Sequence, residues 1–171
     1  MNVNVLIVDY RSFGRSKGRP SEQGLYTDAA ATLEYALSRP DVINPNLMYA
    51  YGTSLGGAVV IQLAEAKGHH FRGVIIENTF KSLATVIDDK QPFYSAVRPL
   101  VLSMTMNSYS RVQNISQPCL FLIGKLDDVV PNSHMEELYS NASSCQFKKR
   151  YLFKDGDHTD MWADMPYEFK S

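Results

Sequence analysis

Short, uninterrupted apolar runs alternate along this chain with segments of helical periodicity. An apolar run of this length suits a strand buried on both faces, as in a parallel sheet. Strands are predicted at residues 4–9, 47–51, 73–77, 119–124 and 147–153, and helices at 28–37, 58–67 and 133–139. Such alternation predicts an α/β fold with a mainly parallel sheet and helices on both faces.

The chain length fits one domain. Of its 171 residues, 44% are hydrophobic and 20% are charged, which is typical of a globular protein. We therefore predict a single domain over residues 1–171. Residues 79–112 lack a clean period and contain Pro92 and Pro99. This predicts a short cap-like insertion of loops and helices over the sheet edge.

Charge and apolar content argue against two kinds of partner. Seventeen Lys and Arg against eighteen Asp and Glu give a net charge of -1, which leaves no broad basic face for nucleic acid. No stretch reaches the roughly 18 apolar residues that span a bilayer, and the N-terminus lacks the pattern of a signal peptide. The sequence predicts neither a nucleic-acid partner nor a membrane segment within this chain.

The potential metal ligands show no recognisable spacing. Cys119 and Cys145 form no CxxC pair and lie at no metal-ligand spacing from a histidine, so we expect no zinc site or disulfide framework. Cys119 lies in an apolar run and is expected to be a buried thiol. The acidic groups at 88–89 and 155–160 resemble neither an EF-hand nor a two-metal site. We expect no metal and no cofactor.

The sequence GTSLG at residues 52–56 places Ser54 between a predicted strand and a predicted helix. In this context GxSxG predicts a strained turn that projects the serine hydroxyl from the sheet, with flanking glycines that prevent steric clashes. The N–H groups of Leu55 and Gly56 then lie at the helix start and can stabilise an oxyanion, Leu55 being the main candidate. Ser54 is the predicted nucleophile.

An acid and a base follow the serine in the order that this fold requires. Asp127 comes directly after a buried strand, at the sheet edge where catalytic groups collect, with Asp128 as the alternative. Among the four histidines, His158 alone occupies a loop after the last predicted strand. The sequence therefore predicts a Ser54–His158–Asp127 triad without excluding a capping role for the aspartate.

Five segments carry a further resemblance: DYRSFGRS at 9–16, YGTSLGGA at 51–58, IENTF at 76–80, GKLDDVVP at 124–131 and GDHTDMW at 156–162. They resemble the α/β-hydrolase domain-containing proteins, in particular the bud-emergence-related hydrolases and α/β-hydrolase domain-containing protein 13. The first segment departs from the family pattern DYRGYGxS, since Ser12 replaces a glycine. The resemblance implies an α/β-hydrolase fold and a serine hydrolase.

The resemblance also implies a range of activities. Related proteins include acyl-protein thioesterases, so a carboxylic ester or an acyl-protein thioester is the expected substrate, cleaved through an acyl-enzyme. A small-molecule ester or an acylated protein would then be the partner. A serine peptidase of the same fold and a catalytically impaired interaction module are the alternatives. Relatives often carry an N-terminal membrane anchor, which implies possible membrane association but fixes no compartment.

The family pattern extends beyond this sequence on its N-terminal side. In relatives, three strands and a helix precede the segment matching residues 4–9, and the loop after the third strand supplies a second oxyanion N–H. We expect an N-terminally truncated fold in which residues 4–9 and 47–51 close on each other or the chain folds poorly. With Leu55 as the one predicted donor, we expect weakened oxyanion stabilisation.

Four further side chains are predicted to bind substrate. Arg11 and Phe13 follow a predicted strand and are placed to line an acyl pocket, whereas Tyr94 and Trp162 are placed to close its rim. Glu77 is predicted either to orient loops near the site or to bond backbone N–H groups.

Overall fold

The computed structural model describes residues 3–90 and 103–160, which form a four-stranded sheet and five α-helices. The strands are β1 (Tyr49–Thr53), β2 (Gly73–Glu77), β3 (Cys119–Gly124) and β4 (Lys148–Phe153). The helices are α1 (Glu22–Leu37), α2 (Leu55–Lys67), α3 (Leu83–Lys90), α4 (Ser108–Val112) and α5 (Asn132–Asn141).

All neighbouring strands pair in parallel, and their spatial order β1-β2-β3-β4 follows the chain. Parallel neighbours require crossover connections, which helical segments supply here. The predicted α/β class with a mainly parallel sheet is confirmed. Because every strand runs the same way, the carboxyl ends of all four lie along one edge.

One face of the sheet is covered by helices. Inward side chains such as Val74, Ile76 and Phe121 form a buried cluster with residues of α2, α4 and α5. A second cluster joins α1 to the other side of α2, through residues such as Leu25 and Val59. Helix α2 is therefore buried on two sides, which explains why its sequence is apolar almost all round.

The opposite sheet face is more open. It carries Tyr49, Ile75, Leu120 and Tyr151, and the Tyr49 residue is 62% exposed. Along residues 3–90 and 103–160, the buried cluster on this face contains strand residues and no helix. The prediction of helices on both faces requires a helix on this face. That helix is not among residues 3–90 and 103–160.

The prediction of a strand at residues 4–9 is wrong. This segment pairs with no strand among the described residues, and Ile7 is 84% exposed. Its expected closure on β1 does not occur; Asn4 instead donates through its side chain to the Val42 carbonyl at 3.3 Å. An apolar run favours a strand only where a neighbour accepts its backbone hydrogen bonds.

Helix α1 begins earlier than the predicted residue 28. Ser21 caps it: its hydroxyl accepts a hydrogen bond from Gly24 N at 3.1 Å, and Glu22 lies in the first turn. The apolar period alone did not reveal this polar first turn.

The predicted insertion at 79–112 contains α3 and α4. Val86 and Met106 are buried in the cluster that contains α1, so both ends of the segment pack against the body of the domain. A cap function for this segment remains a prediction.

Candidate active site

Ser54 occupies the turn between β1 and α2 with φ 52° and ψ −119°. A non-glycine residue at positive φ is strained and persists only when its surroundings hold it. Two backbone contacts do so: Ser54 N donates to the Glu77 carbonyl at 2.9 Å, and the Thr79 hydroxyl donates to the Ser54 carbonyl at 2.6 Å. The end of β2 therefore fixes the predicted nucleophile.

The glycines around Ser54 are not equivalent. A Cβ at Gly52 would lie 2.2 Å from the Gly56 carbonyl oxygen, so this position requires glycine. A Cβ at Gly56 meets nothing nearer than the Tyr10 hydroxyl at 3.9 Å, whereas one at Gly57 would lie 2.6 Å from Thr79 Cβ. The sequence predicted that both flanking glycines prevent steric clashes. The structure shows such a clash for a side chain at Gly52 but not at Gly56, and shows one instead at Gly57.

The structure brings the three predicted triad residues into one hydrogen-bonded series. His158 Nε2 lies 3.0 Å from Ser54 Oγ, and His158 Nδ1 lies 2.8 Å from Asp127 Oδ2. The Asp127 side chain is 1% exposed and that of His158 13%. A nucleophile, a base and an orienting acid in this arrangement can perform acyl transfer.

The acid is held by its second oxygen. Asp127 Oδ1 accepts hydrogen bonds from Val129 N at 2.9 Å and Val130 N at 2.8 Å, which leaves Oδ2 for His158. The alternative, Asp128, is exposed. Of the two carboxylates, Asp127 is the one that contacts the histidine.

Asn78 is a buried residue of the site that sequence reasoning missed. Its side-chain amide donates to the carbonyls of Asp157 at 2.9 Å and His158 at 3.3 Å, and its oxygen accepts from Gly124 N at 2.8 Å. It joins the histidine loop to the strand end before the acid loop. The motif IENTF at 76–80 was the available signal, but it names no contact.

The histidine loop is also ordered from within. Asp157 Oδ1 accepts hydrogen bonds from Asp160 N at 2.6 Å and Thr159 N at 2.8 Å. These bonds lower the pKa of the Asp157 carboxyl below its ordinary value. This carboxylate turns the chain immediately around His158.

Glu77 contributes through both its backbone and its side chain. The carboxylate is buried and accepts a hydrogen bond from the Tyr51 hydroxyl at 2.8 Å, while the backbone carbonyl accepts from Ser54 N. The residue thus ties β2 to β1 and to the turn that carries Ser54.

The start of α2 offers donors to an oxyanion. Gly57 N and Ala58 N bond to the Ser54 carbonyl, whereas the N–H groups of Leu55 and Gly56 lie in the first turn, where a helix supplies no carbonyl partner. The positive end of the helix dipole favours negative charge there. The Leu55 N–H thus lies at the helix start, and its oxyanion role remains a prediction.

Two of the four predicted substrate residues, Arg11 and Phe13, lie in the described part of the chain. The Arg11 guanidinium makes a bidentate pair with Asp28, at 3.0 and 2.8 Å, beside a groove of about 420 Å³ between residues 6–9 and α1 that contains no triad residue. Phe13 lies in an exposed turn. Tyr94 and Trp162 lie outside the described residues. Acyl-pocket roles for these four remain predictions.

The described ranges contain neither a cluster of metal-binding side chains nor a membrane-spanning helix. In residues 3–90 and 103–160, no group of three or more His, Cys, Asp or Glu side chains is placed to hold a metal ion. Over the same ranges, no helix combines the length and apolarity needed to cross a membrane.

A parallel sheet with a strained serine turn and a Ser–His–Asp series at its carboxyl edge defines an α/β-hydrolase of the serine hydrolase class. The chain belongs to the prolyl oligopeptidase family, whose model matches residues 11–165.

Curated relatives cover almost the whole chain. It is 34% identical to the uncharacterized protein YfhR of Escherichia coli K12, over 95% of this chain and 56% of that protein. It is 34% identical to protein bem46 of Schizosaccharomyces pombe (94% and 53%), and 36% identical to an uncharacterized membrane protein of Saccharomyces cerevisiae (92% and 55%). The chain thus spans little more than half the length of these relatives.

Solved structures share the fold at lower identity. The Pyrococcus furiosus esterase Pf2001 superposes with a TM-score of 0.76 at 19% identity, over 95% of this chain and 64% of that one. The Pyrococcus horikoshii acylaminoacyl peptidase gives a TM-score of 0.64 at 16% identity, over 85% of this chain and 26% of that one. Both likenesses establish the α/β-hydrolase fold.

Proposed function

We propose that this chain carries the catalytic residues of a serine hydrolase that cleaves a carboxylic ester or an acyl-protein thioester through an acyl-enzyme. The observation that carries the proposal is the series Ser54 Oγ, His158 Nε2, His158 Nδ1 and Asp127 Oδ2, with separations of 3.0 and 2.8 Å. The strained backbone of Ser54 supports it, because such strain is concentrated at functional sites.

The geometry corresponds to a two-step reaction. His158 Nε2 accepts the proton of the Ser54 hydroxyl as Oγ bonds to the substrate carbonyl carbon, and the Leu55 N–H stabilises the resulting oxyanion. The protonated Nε2 then donates to the leaving alcohol or thiol as its bond to the carbonyl carbon breaks. In the second step Nε2 deprotonates a water whose oxygen bonds to the acyl carbon, the bond from that carbon to Ser54 Oγ breaks, and Nε2 returns the proton to Oγ.

A fluorophosphonate probe tests the nucleophile. The folded wild-type chain should be labelled at one serine, and Ser54→Ala should abolish the labelling. Ser140→Ala is the matched control, because Ser140 is exposed on α5 and should leave labelling unchanged. Labelling that persists without the Ser54 hydroxyl contradicts the proposal. A well-folded wild-type chain that takes no label supports an interaction module instead.

The assignment of Asp127 as the acid is tested by comparing it with its neighbour Asp128. In Asp127→Asn, an amide whose oxygen still accepts from Val129 and Val130 must turn its NH₂ towards His158. Nδ1 then becomes an acceptor and Nε2 carries the proton, so it cannot deprotonate Ser54. We expect labelling to slow about 10³–10⁴-fold. Asp128→Asn should label at the wild-type rate; equal effects of the two changes would contradict the assignment.

Leaving-group preference distinguishes the leading function from a peptidase. The family name and the fold shared with an acylaminoacyl peptidase favour the peptidase as second candidate, whereas the higher TM-score belongs to an esterase. We expect turnover of a p-nitrophenyl ester and of an S-acylated cysteine peptide, but little turnover of the matching acyl-amino-acid amide. Faster cleavage of the amide would make the peptidase the better proposal.

The number of oxyanion donors bears on the alternative that this chain is a catalytically impaired interaction module. Leu55 N–H is the donor proposed here, and removing one such donor typically costs about 3 kcal/mol in the barrier. If a second donor lies in sequence that relatives add, this chain should hydrolyse p-nitrophenyl acetate far more slowly than a full-length relative. Equal turnover would contradict that expectation.

We also propose that the whole protein associates with a membrane. The Saccharomyces cerevisiae relative, which is described as a membrane protein, supports this. Fractionation of cells that express the full-length protein should place it with membranes; recovery entirely in the supernatant would contradict the proposal.

A further inference from the structure

A pair of thiols lies away from the catalytic edge. Cys119 begins β3, and Cys145 lies in the loop between α5 and β4, with 3.0 Å between the two sulfur atoms. They sit at the amino ends of the parallel strands, whereas Ser54 follows a carboxyl end. We propose that Cys119 and Cys145 form a redox-modification site, which a hydroperoxide converts into an intramolecular disulfide.

The backbone around the pair is already fixed. Cys119 N donates to the Phe147 carbonyl at 2.8 Å, and Gln146 N donates to the Ser116 carbonyl at 3.2 Å. These bonds hold the two chain segments side by side next to the thiols. A disulfide needs sulfur atoms about 2.05 Å apart. The sulfurs therefore need to approach by about 1 Å to bond.

The two thiols differ in access and in charge environment. Cys119 is 2% exposed, while Cys145 is partly exposed. A hydrogen bond with the Cys119 thiol lowers the pKa of Cys145, burial opposes this, and the Lys148 ammonium lowers it further. Burial and the bond to Cys145 raise the pKa of Cys119. Cys145 is thus the accessible sulfur with more thiolate character, and Cys119 is the thiol that resolves the bond.

The reaction has two balanced steps. The Cys145 thiolate bonds to one oxygen of hydrogen peroxide, the O–O bond breaks, and the departing hydroxide takes up a proton as water. This leaves a sulfenic acid. The Cys119 sulfur then bonds to the Cys145 sulfur and loses its proton, while the S–OH bond breaks and hydroxide leaves as a second water. The two thiols lose two electrons, and the peroxide gains them.

The cross-link would enclose a functional part of the chain. Between the two cysteines lie β3, the loop with Asp127, and α5. Closing this loop restricts the unfolded chain, so the oxidised protein should melt at a higher temperature than the reduced protein. The bridge lies at the sheet edge opposite Ser54, so the two redox forms should react with a serine probe at similar rates.

Peroxide titration of the reduced chain tests the site. One equivalent of hydrogen peroxide should remove both free thiols, and proteolysis without reductant should yield one peptide in which Cys119 and Cys145 are joined. The yield should not fall on dilution, because the bond is intramolecular. Two free thiols after treatment, or a disulfide that joins two chains, would overturn the proposal.

Single variants test the order of attack. In Cys119→Ser, the sulfenic acid at Cys145 has no partner and should be trapped by dimedone. In Cys145→Ser, the buried Cys119 should remain unlabelled. Lys148→Gln should slow oxidation several-fold without changing the product, because it removes the charge that favours the thiolate. Equal dimedone labelling of both cysteine variants would overturn the assignment of Cys145. None of these readouts depends on Ser54 being a nucleophile.

Discussion

At the residue scale, one buried amide connects the segments that carry the predicted triad. Asn78 bonds to Gly124 N and to the carbonyls of Asp157 and His158. These partners lie far from it in sequence but next to it at the carboxyl ends of neighbouring strands. An amide suits this position because it donates and accepts at once. Sequence spacing predicted the triad from residue order, yet it contained no sign of this bridge.

We predict that Asn78→Gly slows fluorophosphonate labelling about 10–100-fold, since misplacing a catalytic group by about 1 Å costs on that order. Glycine keeps the positive φ of 40° at this position without strain, so the change removes only the side-chain bonds. The labelling rate and the melting temperature should be measured together. A wild-type labelling rate in this variant would mean that the side-chain hydrogen bonds of Asn78 do not contribute to the reactivity of the site.

At the element scale, the sequence predicted best what depends on local pattern. The bounds of β2 and β3 agree with prediction because both apolar runs end at turn or polar residues. The strand at 4–9 failed because pairing depends on a neighbour, which no run of letters specifies. The triad was foreseeable from chain order, whereas the contact of Arg11 with Asp28 was not, because it joins a loop to a helix face.

The turn that carries Ser54 predicts opposite effects of alanine at adjacent glycines. Gly57→Ala would place a Cβ 2.6 Å from Thr79 Cβ, and overpacking of this kind typically costs about 1–3 kcal/mol. Gly56→Ala has space and removes a flexible residue from the first turn of α2, so its stability should be unchanged or slightly higher. Urea denaturation of both variants checks this; equal destabilisation would contradict the described packing.

At the scale of the whole molecule, one ion pair joins the N-terminal segment to the helical layer. Asp28 on α1 accepts hydrogen bonds from the backbone N–H and the guanidinium of Arg11, which follows the unpaired segment at 4–9. The Arg39–Asp41 pair is also bidentate, but it connects near neighbours in sequence and is more exposed. The Arg11–Asp28 pair should therefore contribute more to the stability of the fold than the Arg39–Asp41 pair.

We predict that Asp28→Asn lowers the melting temperature by a few degrees at neutral pH, while Asp41→Asn leaves it unchanged. The side-chain hydrogen bond from Arg11 lowers the pKa of Asp28, although partial burial opposes this. Because the pKa of Asp28 is lower in the folded state, its carboxylate stabilises the fold at pH values above its ordinary pKa of about 4. This stabilisation is lost as the pH falls through the folded-state pKa. The difference between wild type and Asp28→Asn should therefore shrink in acid. A constant difference from neutral to acidic pH would contradict this.

The distance along the chain between Ser54 and His158 has a consequence for biosynthesis. These residues are 104 positions apart, and the histidine follows the last strand of the sheet. A ribosome must therefore release almost all of the described chain before the serine can meet its base. On a translating ribosome, the contact between Ser54 and His158 should therefore form only after the earlier strands and helices have left the exit tunnel.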